Sequence, residues 1–200
     1  MKEKAWFNIV FMLVCTAVFT GILSGVYAYS RPIIQANTGV IGITAQMNAL
    51  GISVPAGGET DLESYYKEII SEENINGMTV YKYESENGRL YYAIPFEGSG
   101  LWGKITGIIA LDQDLKTVIG MDFISQNETP GLGGRIEEEW FKEQFRGITL
   151  FEEGDPIRFP ASGSEGQVDA ITGATATSTA VAGIINESIR EARSKLGGGH

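Results

Sequence analysis

Residues 5–30, AWFNIVFMLVCTAVFTGILSGVYAYS, run 26 positions without a charged side chain. As a helix the run is roughly 39 Å long, enough to cross the hydrocarbon core of a bilayer. Trp6 at one end and Tyr27 with Tyr29 at the other suit the two membrane interfaces, and Lys2 with Lys4 bias the amino end toward the cytoplasm. The expectation is therefore a single-pass anchor in the cell membrane, with a cytoplasmic N-terminus and the bulk of the chain extracytoplasmic. A cleavable signal peptide is the competing reading, because Val26-Tyr27-Ala28 has the small-residue spacing of a cleavage site. The run exceeds the usual apolar region of such a peptide, about 7 to 15 residues, so a retained anchor is preferred.

Composition then removes whole classes of chemistry. The formal charge is −10, and because Lys2, Glu3 and Lys4 add +1, everything after them carries −11. A polyanionic surface repels phosphate backbones, which makes nucleic acid a poor partner. The single Cys15 cannot close an internal disulfide, and the single His200 ends a Gly-rich tail. Neither a Cys/His metal site nor a His-based triad can be assembled. Carboxylates, hydroxyls, backbone groups or a cofactor must carry the chemistry.

Beyond the anchor, spaced apolar residues in 31–53 read as a helical connector ending near Gly51, with Gly39 and Gly42 against it. PAGGET (55–60) reads as a loop and DLESYYKEII (61–70) as a short helix that Asp61 can cap. MTVYKY (78–83) and LYYAIPF (90–96) are strands around Asn87-Gly88, a hairpin signal. KITGIIALD (104–112) and KTVIGMDFI (116–124) form a second pair. Alternation in the last strand puts Val118, Gly120, Asp122 and Ile124 on one face and Thr117, Ile119, Met121 and Phe123 on the other. IEEEWFKEQF (136–145) reads as a helix, followed by extended pieces around ITLF and IRF. The last helix carries Val181, Ile185, Ile189, Ala192 and Leu196 as one apolar stripe and stops at Gly197. The fold class is α+β: one membrane helix, then one external domain of antiparallel sheet and packed helices. The divisions are 1–30 for the cytoplasmic tip and membrane helix, 31–60 for the connector, 61–196 for the domain and 197–200 for a tail.

The start of that last helix gathers hydroxyls: DAITGATATSTA, residues 169–180, holds Thr172, Thr175, Thr177, Ser178 and Thr179 beside Gly173. A helix start offers unpaired N–H groups and the positive end of the dipole, so it accommodates an anion such as a phosphate. Gly173 and Ala174 keep that approach open, and a first-turn hydroxyl can be esterified to the phosphate. On the residues alone, capping is the commoner role for such a cluster.

Asp169-Ala170-Ile171-Thr172-Gly173-Ala174-Thr175 matches the D-x-x-(S/T)-G-A-T flavinylation motif. NETPGLGGRIEEEWFKEQF (127–145) resembles the E-T-P-G-L-G block of the same family, and GSGLWGKITGIIALD (98–112) is similar to its G-x-G-L-W segment. The chain thus resembles, over nearly its whole length, the RnfG/NqrC family of FMN-binding subunits of ion-pumping redox complexes. The resemblance implies FMN bound covalently through a phosphoester on Thr175, installed from FAD by a separate flavin transferase. It also implies that Asp169, Thr172, Gly173, Ala174, Ala176, Thr177 and Ser178 shape the phosphate end. Leu132 and Gly133 would give the ring an apolar, closely approached wall, and Glu128 with Thr129 would meet its polar edge. Trp102 serves equally as a flavin contact or as a core residue, and Asp169 as a cap, a loop hydrogen-bonding group or a mark read by the transferase.

The implied function is electron transfer by a membrane-anchored redox subunit that is no complete enzyme alone. Its partners would be the lipid bilayer, the flavin transferase and the other membrane subunits of an Rnf complex (ferredoxin and NAD) or of the Na⁺-pumping NADH:quinone reductase. The compact external domain favours Rnf, while GLWG and IALD lean toward NqrC; Rnf is the expectation taken. The same residues are also compatible with a stand-alone flavinylated carrier and with a flavin-free anchored scaffold.

Overall fold

The structure, a computed structural model, describes residues 2–55, 59–159 and 167–197, apart from the side chains of 2–5, 31–38 and 59–60. The middle of the 55–60 loop and the last three tail residues lie outside the described residues, as do the side chains of Lys2 and Lys4. Two compact units emerge, Met1–Gly39 and Val40–His200. The first is helical and contains Trp6–Ser30, a segment long and apolar enough to cross a membrane and not buried by the rest of the protein. This is the single-pass anchor.

Helix α1 is continuous over Lys2–Leu50, and its closing turns belong to the second unit. It ends where Gly51 turns left-handed, at φ 73°, with Gly51 N–H donating to Asn48 O at 3.1 Å and Ile52 N–H to Met47 O at 2.8 Å. That pair is the Schellman arrangement, which a residue without Cβ favours. Residues 40–50, expected as a connector, instead contribute core: Met47, Ala49 and Leu50 are buried with Leu62 of α2 (Glu59–Ile69). The partial burial of Val40 and Ile43 against this core outweighs the weak helix propensity of Gly42.

Five strands form an antiparallel meander in chain order: β1 Ile70–Ile75, β2 Met78–Glu84, β3 Leu90–Ser99, β4 Lys104–Asp112 and β5 Val118–Ser125. Gly88 takes φ 71° in the predicted hairpin turn. Strand β1 was not expected; its ISEENI sequence has Ile70 buried but four successive exposed residues, as an edge strand allows. The sheet is covered on both faces. On one, Ile94, Phe96, Ile105, Ile109 and Leu111 pack with Val181, Ile185 and Ile189 of α4 (Thr175–Leu196). On the other, Ala93, Ile108 and Ala110 pack with the end of α1 and with α2. Alternation along β3 and β4 therefore separates two cores, rather than a core from solvent.

The simple alternation expected for β5 does not hold. The register slips between Ala110 and Leu111, so that Leu111 pairs with Val118, Ala110 with Gly120, and Ile119 is the extra residue of a bulge. Val118 thereby joins Met121 and Phe123 on the α4 face, while Ile119 and Ile124 pack on the other. The helix expected over 136–145 is also shorter: a 3-10 turn, Gly133–Glu137, and then α3, Glu139–Glu143, which buries Phe141.

Candidate functional site

Two turns of the same sequence logic meet at the start of α4. In Thr129-Pro130-Gly131-Leu132, the Leu132 N–H donates to Thr129 O at 3.1 Å and Gly131 has φ 75°. In Ile171-Thr172-Gly173-Ala174, the Ala174 N–H donates to Ile171 O at 2.9 Å and Gly173 has φ 80°. A glycine at the third position of such a turn takes the positive φ that other residues resist. A Cβ on Gly173 would stand 3.4 Å from Leu132 Cδ2, so the two turns are in contact.

The hydroxyl cluster divides by direction. Thr172, Thr175 and Thr179 are exposed, whereas Thr177 and Ser178 are buried. Ser178 Oγ accepts the Ile171 N–H at 3.0 Å and donates to Ala174 O at 3.1 Å, tying the turn to the helix it precedes. Thr177 donates its hydroxyl to Glu128 Oε2 at 2.6 Å. These two hydroxyls, expected among the groups near a bound phosphate, are instead spent inside the protein.

The helix start itself is open. Ser178 N–H makes the first i→i−4 bond, to Ala174 O at 3.0 Å, so the N–H groups of Thr175, Ala176 and Thr177 precede the ladder. Ala174, the N-cap, has no polar side chain to satisfy them. The anion-facing amides expected over 175–178 thus narrow to 175–177. Thr175 and Ala176 are exposed beside them, and Asp169 is exposed with its N–H held by Gln144 Oε1 at 2.7 Å.

The opposing side also differs in part from expectation. Leu132 is 46% exposed, available to a flat apolar partner, while Gly133 is buried. Trp102 is 70% exposed, which removes its core reading. Thr129 is exposed, and its carbonyl closes the turn by accepting Leu132 N–H and, at 3.0 Å, Gly134 N–H. Glu128, expected to face a ligand, is 4% exposed and accepts the Trp102 N–H at 3.0 Å on the oxygen not used by Thr177. Both of its oxygens serve the protein. The sequence reading missed Gly100, whose lack of a side chain leaves room for the Glu128 carboxylate: a Cβ there would lie 2.5 Å from Oε1. It also missed Gln126, whose Oε1 accepts the Glu128 N–H at 2.5 Å.

This surface fits a phosphate ester carrying a planar ring: an exposed hydroxyl opens a helix with three uncapped amides, next to a turn without side-chain bulk and an exposed leucine. A cavity of 670 Å³ lined by residues of α2 and β1–β3 includes none of the candidate residues. The candidate site is open surface, in keeping with a ligand tethered to the chain.

Residues 100–190 match the family model described as "FMN-binding domain". Among curated proteins, the chain is 37% identical over 119 residues to the NqrC component of the Na(+)-translocating NADH-quinone reductase of Yersinia pestis, covering 56% of this chain and 44% of that protein. The corresponding protein of Neisseria meningitidis is 36% identical over 110 residues, with coverages of 52% and 43%. The chain thus spans less than half the length of these curated relatives. Among solved structures, it is similar to the NqrC component of the same reductase from Parabacteroides distasonis, with TM-score 0.72, 26% identity, and coverage of 85% of this chain and 98% of that one. The Shewanella oneidensis NqrC structure shares the fold, with TM-score 0.63, 18% identity, and coverages of 76% and 93%. These relatives are NqrC proteins, so the NqrC reading fits better than the Rnf expectation.

Proposed function

We propose, on the premise that the chain belongs to the RnfG/NqrC family of FMN-binding subunits, that it is an NqrC-type, membrane-anchored redox subunit holding FMN covalently on Thr175. Its catalytic partners are then the other subunits of a Na⁺-translocating NADH:quinone reductase, and a flavin transferase matures it. Bound FMN supplies electron acceptance and donation; the protein's part is attachment, placement and electrostatics. The observation that carries the reading is the exposed Thr175 hydroxyl opening α4. Attachment forms a bond from Thr175 Oγ to the flavin phosphate of FAD, breaks the pyrophosphate bond, releases AMP and frees the hydroxyl proton.

The chain's own groups divide the remaining work. The N–H groups of Thr175, Ala176 and Thr177 face the single negative charge of the resulting phosphodiester without any Lys or Arg, helped by the helix dipole. Leu132 and Trp102 offer exposed apolar surface near that point to a planar ring. Lys2 and Lys4 support a cytoplasmic N-terminus and an extracytoplasmic domain, where a covalent tether prevents loss of a cofactor that could not readily be replaced. Thr172 shapes the turn, and Asp169, exposed just ahead of it, is available to the transferase.

Protein produced together with its flavin transferase will remain fluorescent in a denaturing gel, and its intact mass will exceed that of the chain by one FMN ester. Thr175→Val will lose both signals. Flavin that persists on the Thr175→Val protein moves the attachment elsewhere, and a colourless parent overturns the reading.

A further inference from the structure

Glu128 is charged yet almost wholly buried, and separate parts of the chain converge on it. Thr177 of α4 donates its hydroxyl to Oε2 at 2.6 Å, and Trp102, in the loop between β3 and β4, donates its backbone N–H to Oε1 at 3.0 Å. Two glycines are matched to the carboxylate. A Cβ on Gly100 would approach Oε1 to 2.5 Å; one on Gly133 would lie 3.0 Å from Oε2 and 2.5 Å from Thr177 Oγ1. A buried carboxylate is costly unless its oxygens are hydrogen-bonded, and a leucine would be the cheaper filler of this space. What an ionised carboxylate offers is two acceptor oxygens for two donors. An amide keeps the Trp102 contact on its oxygen and makes the other position a donor, which the Thr177 hydroxyl must then accept instead of donating.

We propose that Glu128 is a positioning residue, which clamps the first turn of α4 to the Trp102 loop and so fixes the direction in which Thr175 is presented. The geometry of a helix makes this link. Residues 175 and 177 lie about 200° apart around the axis, so drawing Thr177 inward turns Thr175 outward. The clamp also sets the distance between the helix start and the loop bearing Trp102. The consequence for Thr175 rests on its reading as the attachment point; the clamp itself does not.

The test uses the full chain in detergent, made without the transferase, and compares Glu128→Ala, Glu128→Gln, Thr177→Val and Thr177→Ser with the parent. Amide hydrogen exchange is followed in residues 174–178 and 100–104, with Ile108 and Ile109 of the interior strand β4 as the control for global folding. Thr177→Val should speed exchange at least tenfold in 174–178 alone, and Glu128→Ala in both segments, while Thr177→Ser stays like the parent. Adding transferase and FAD, covalent attachment should slow at least tenfold in Glu128→Ala and Thr177→Val, with Glu128→Gln and Thr177→Ser close to the parent. If Glu128→Ala does not fold, Thr177→Val decides the matter. Parent-like exchange or parent-like attachment in Thr177→Val overturns the clamp. Absence of flavin from the parent's Thr175 overturns the functional reading instead, and leaves the exchange result to judge the clamp.

Discussion

Gly120 of β5 meets the end of α1 so closely that a Cβ added there would lie 2.7 Å from the carbonyl oxygen of Ala49. Arg146 crosses the same point, donating from Nη1 to Ile119 O at 3.0 Å. The closing turns of α1 are therefore seated on the sheet by backbone contact, which a flexible side chain could not relieve. Gly120→Ala should cost about 1–3 kcal/mol by overpacking, read as a lower denaturation midpoint in detergent. An unchanged midpoint would show that α1 can retreat without loss.

A charged pair reinforces that seat. Asp122 Oδ1 accepts from Lys142 Nζ at 3.0 Å and Oδ2 from Asn48 Nδ2 at 2.7 Å, with the Lys142 and Asp122 side chains 14% and 12% exposed. Burial alone would lower the Lys142 pKa, but hydrogen bonds to Asp122 and Glu139 overcome it and hold the ammonium above its ordinary range. Lys142→Met, which strands the carboxylate, should destabilise by about 2–4 kcal/mol, whereas Lys142→Met combined with Asp122→Leu should recover part of the loss. Chemical denaturation of the two proteins and the Asp122→Leu single variant completes the cycle.

Stability should also fail on the alkaline side. Burial, aided by neighbouring charge, raises the pKa of Tyr66, Tyr81 and Tyr83. Their folded values exceed the unfolded value of about 10, so their contribution is complete below that pH and is lost as pH climbs through the folded values. The raised Lys142 value acts with the same sign. The melting temperature should hold between pH 7 and about 9.5 and then drop. In an absorbance titration, part of the phenolate signal of the eight tyrosines should lag behind pH 10. One step at pH 10 for all eight would contradict the burial of these three.

At Gly173 the limit is conformation rather than space, because a Cβ would meet only Leu132 Cδ2 at 3.4 Å while φ stands at 80°. Gly173→Ala should cost about 1–2 kcal/mol and slow flavin attachment, and Gly173→Asn should be milder because asparagine tolerates left-handed backbone. Equal effects from Ala and Asn would point to contact rather than φ.

Asn186 holds the irregular segment after β5 against α4, accepting Ile157 N–H at 2.8 Å and donating to Ile157 O at 2.9 Å with both residues buried. Asn186→Ala should cost about 2–4 kcal/mol, since two peptide groups lose their partner at once. Protease sensitivity confined to residues near 157 would be the local counterpart of that loss.

What the sequence made legible was what local chemistry decides. The anchor follows from 26 uncharged positions, the hairpin from Asn87-Gly88, and α4 from the spacing of Val181, Ile185 and Ile189. Strand β1 escaped because Ser71, Glu72, Glu73 and Asn74 have no apolar period, and their pairing with β2 is what makes them a strand. Residues 40–50 looked like a connector because a helix face cannot announce the sheet it will cover. The bulge at Ile119 answers to its partner strand. Around the candidate site, the helix start at Thr175 and the two glycine turns were readable, but the inward direction of Thr177 was not, since the carboxylate that draws it in lies 49 residues away.

The exposed acidic stretch of β1 has one more consequence. A tether confines copies of this domain to a plane, where encounters between neighbours are far more frequent than in free solution. An open strand edge under those conditions invites intermolecular sheet growth. Glu72 and Glu73 are exposed along that edge, and although Lys82 pairs with Glu73 at 2.5 Å, the carboxylates of the rim disfavour such growth.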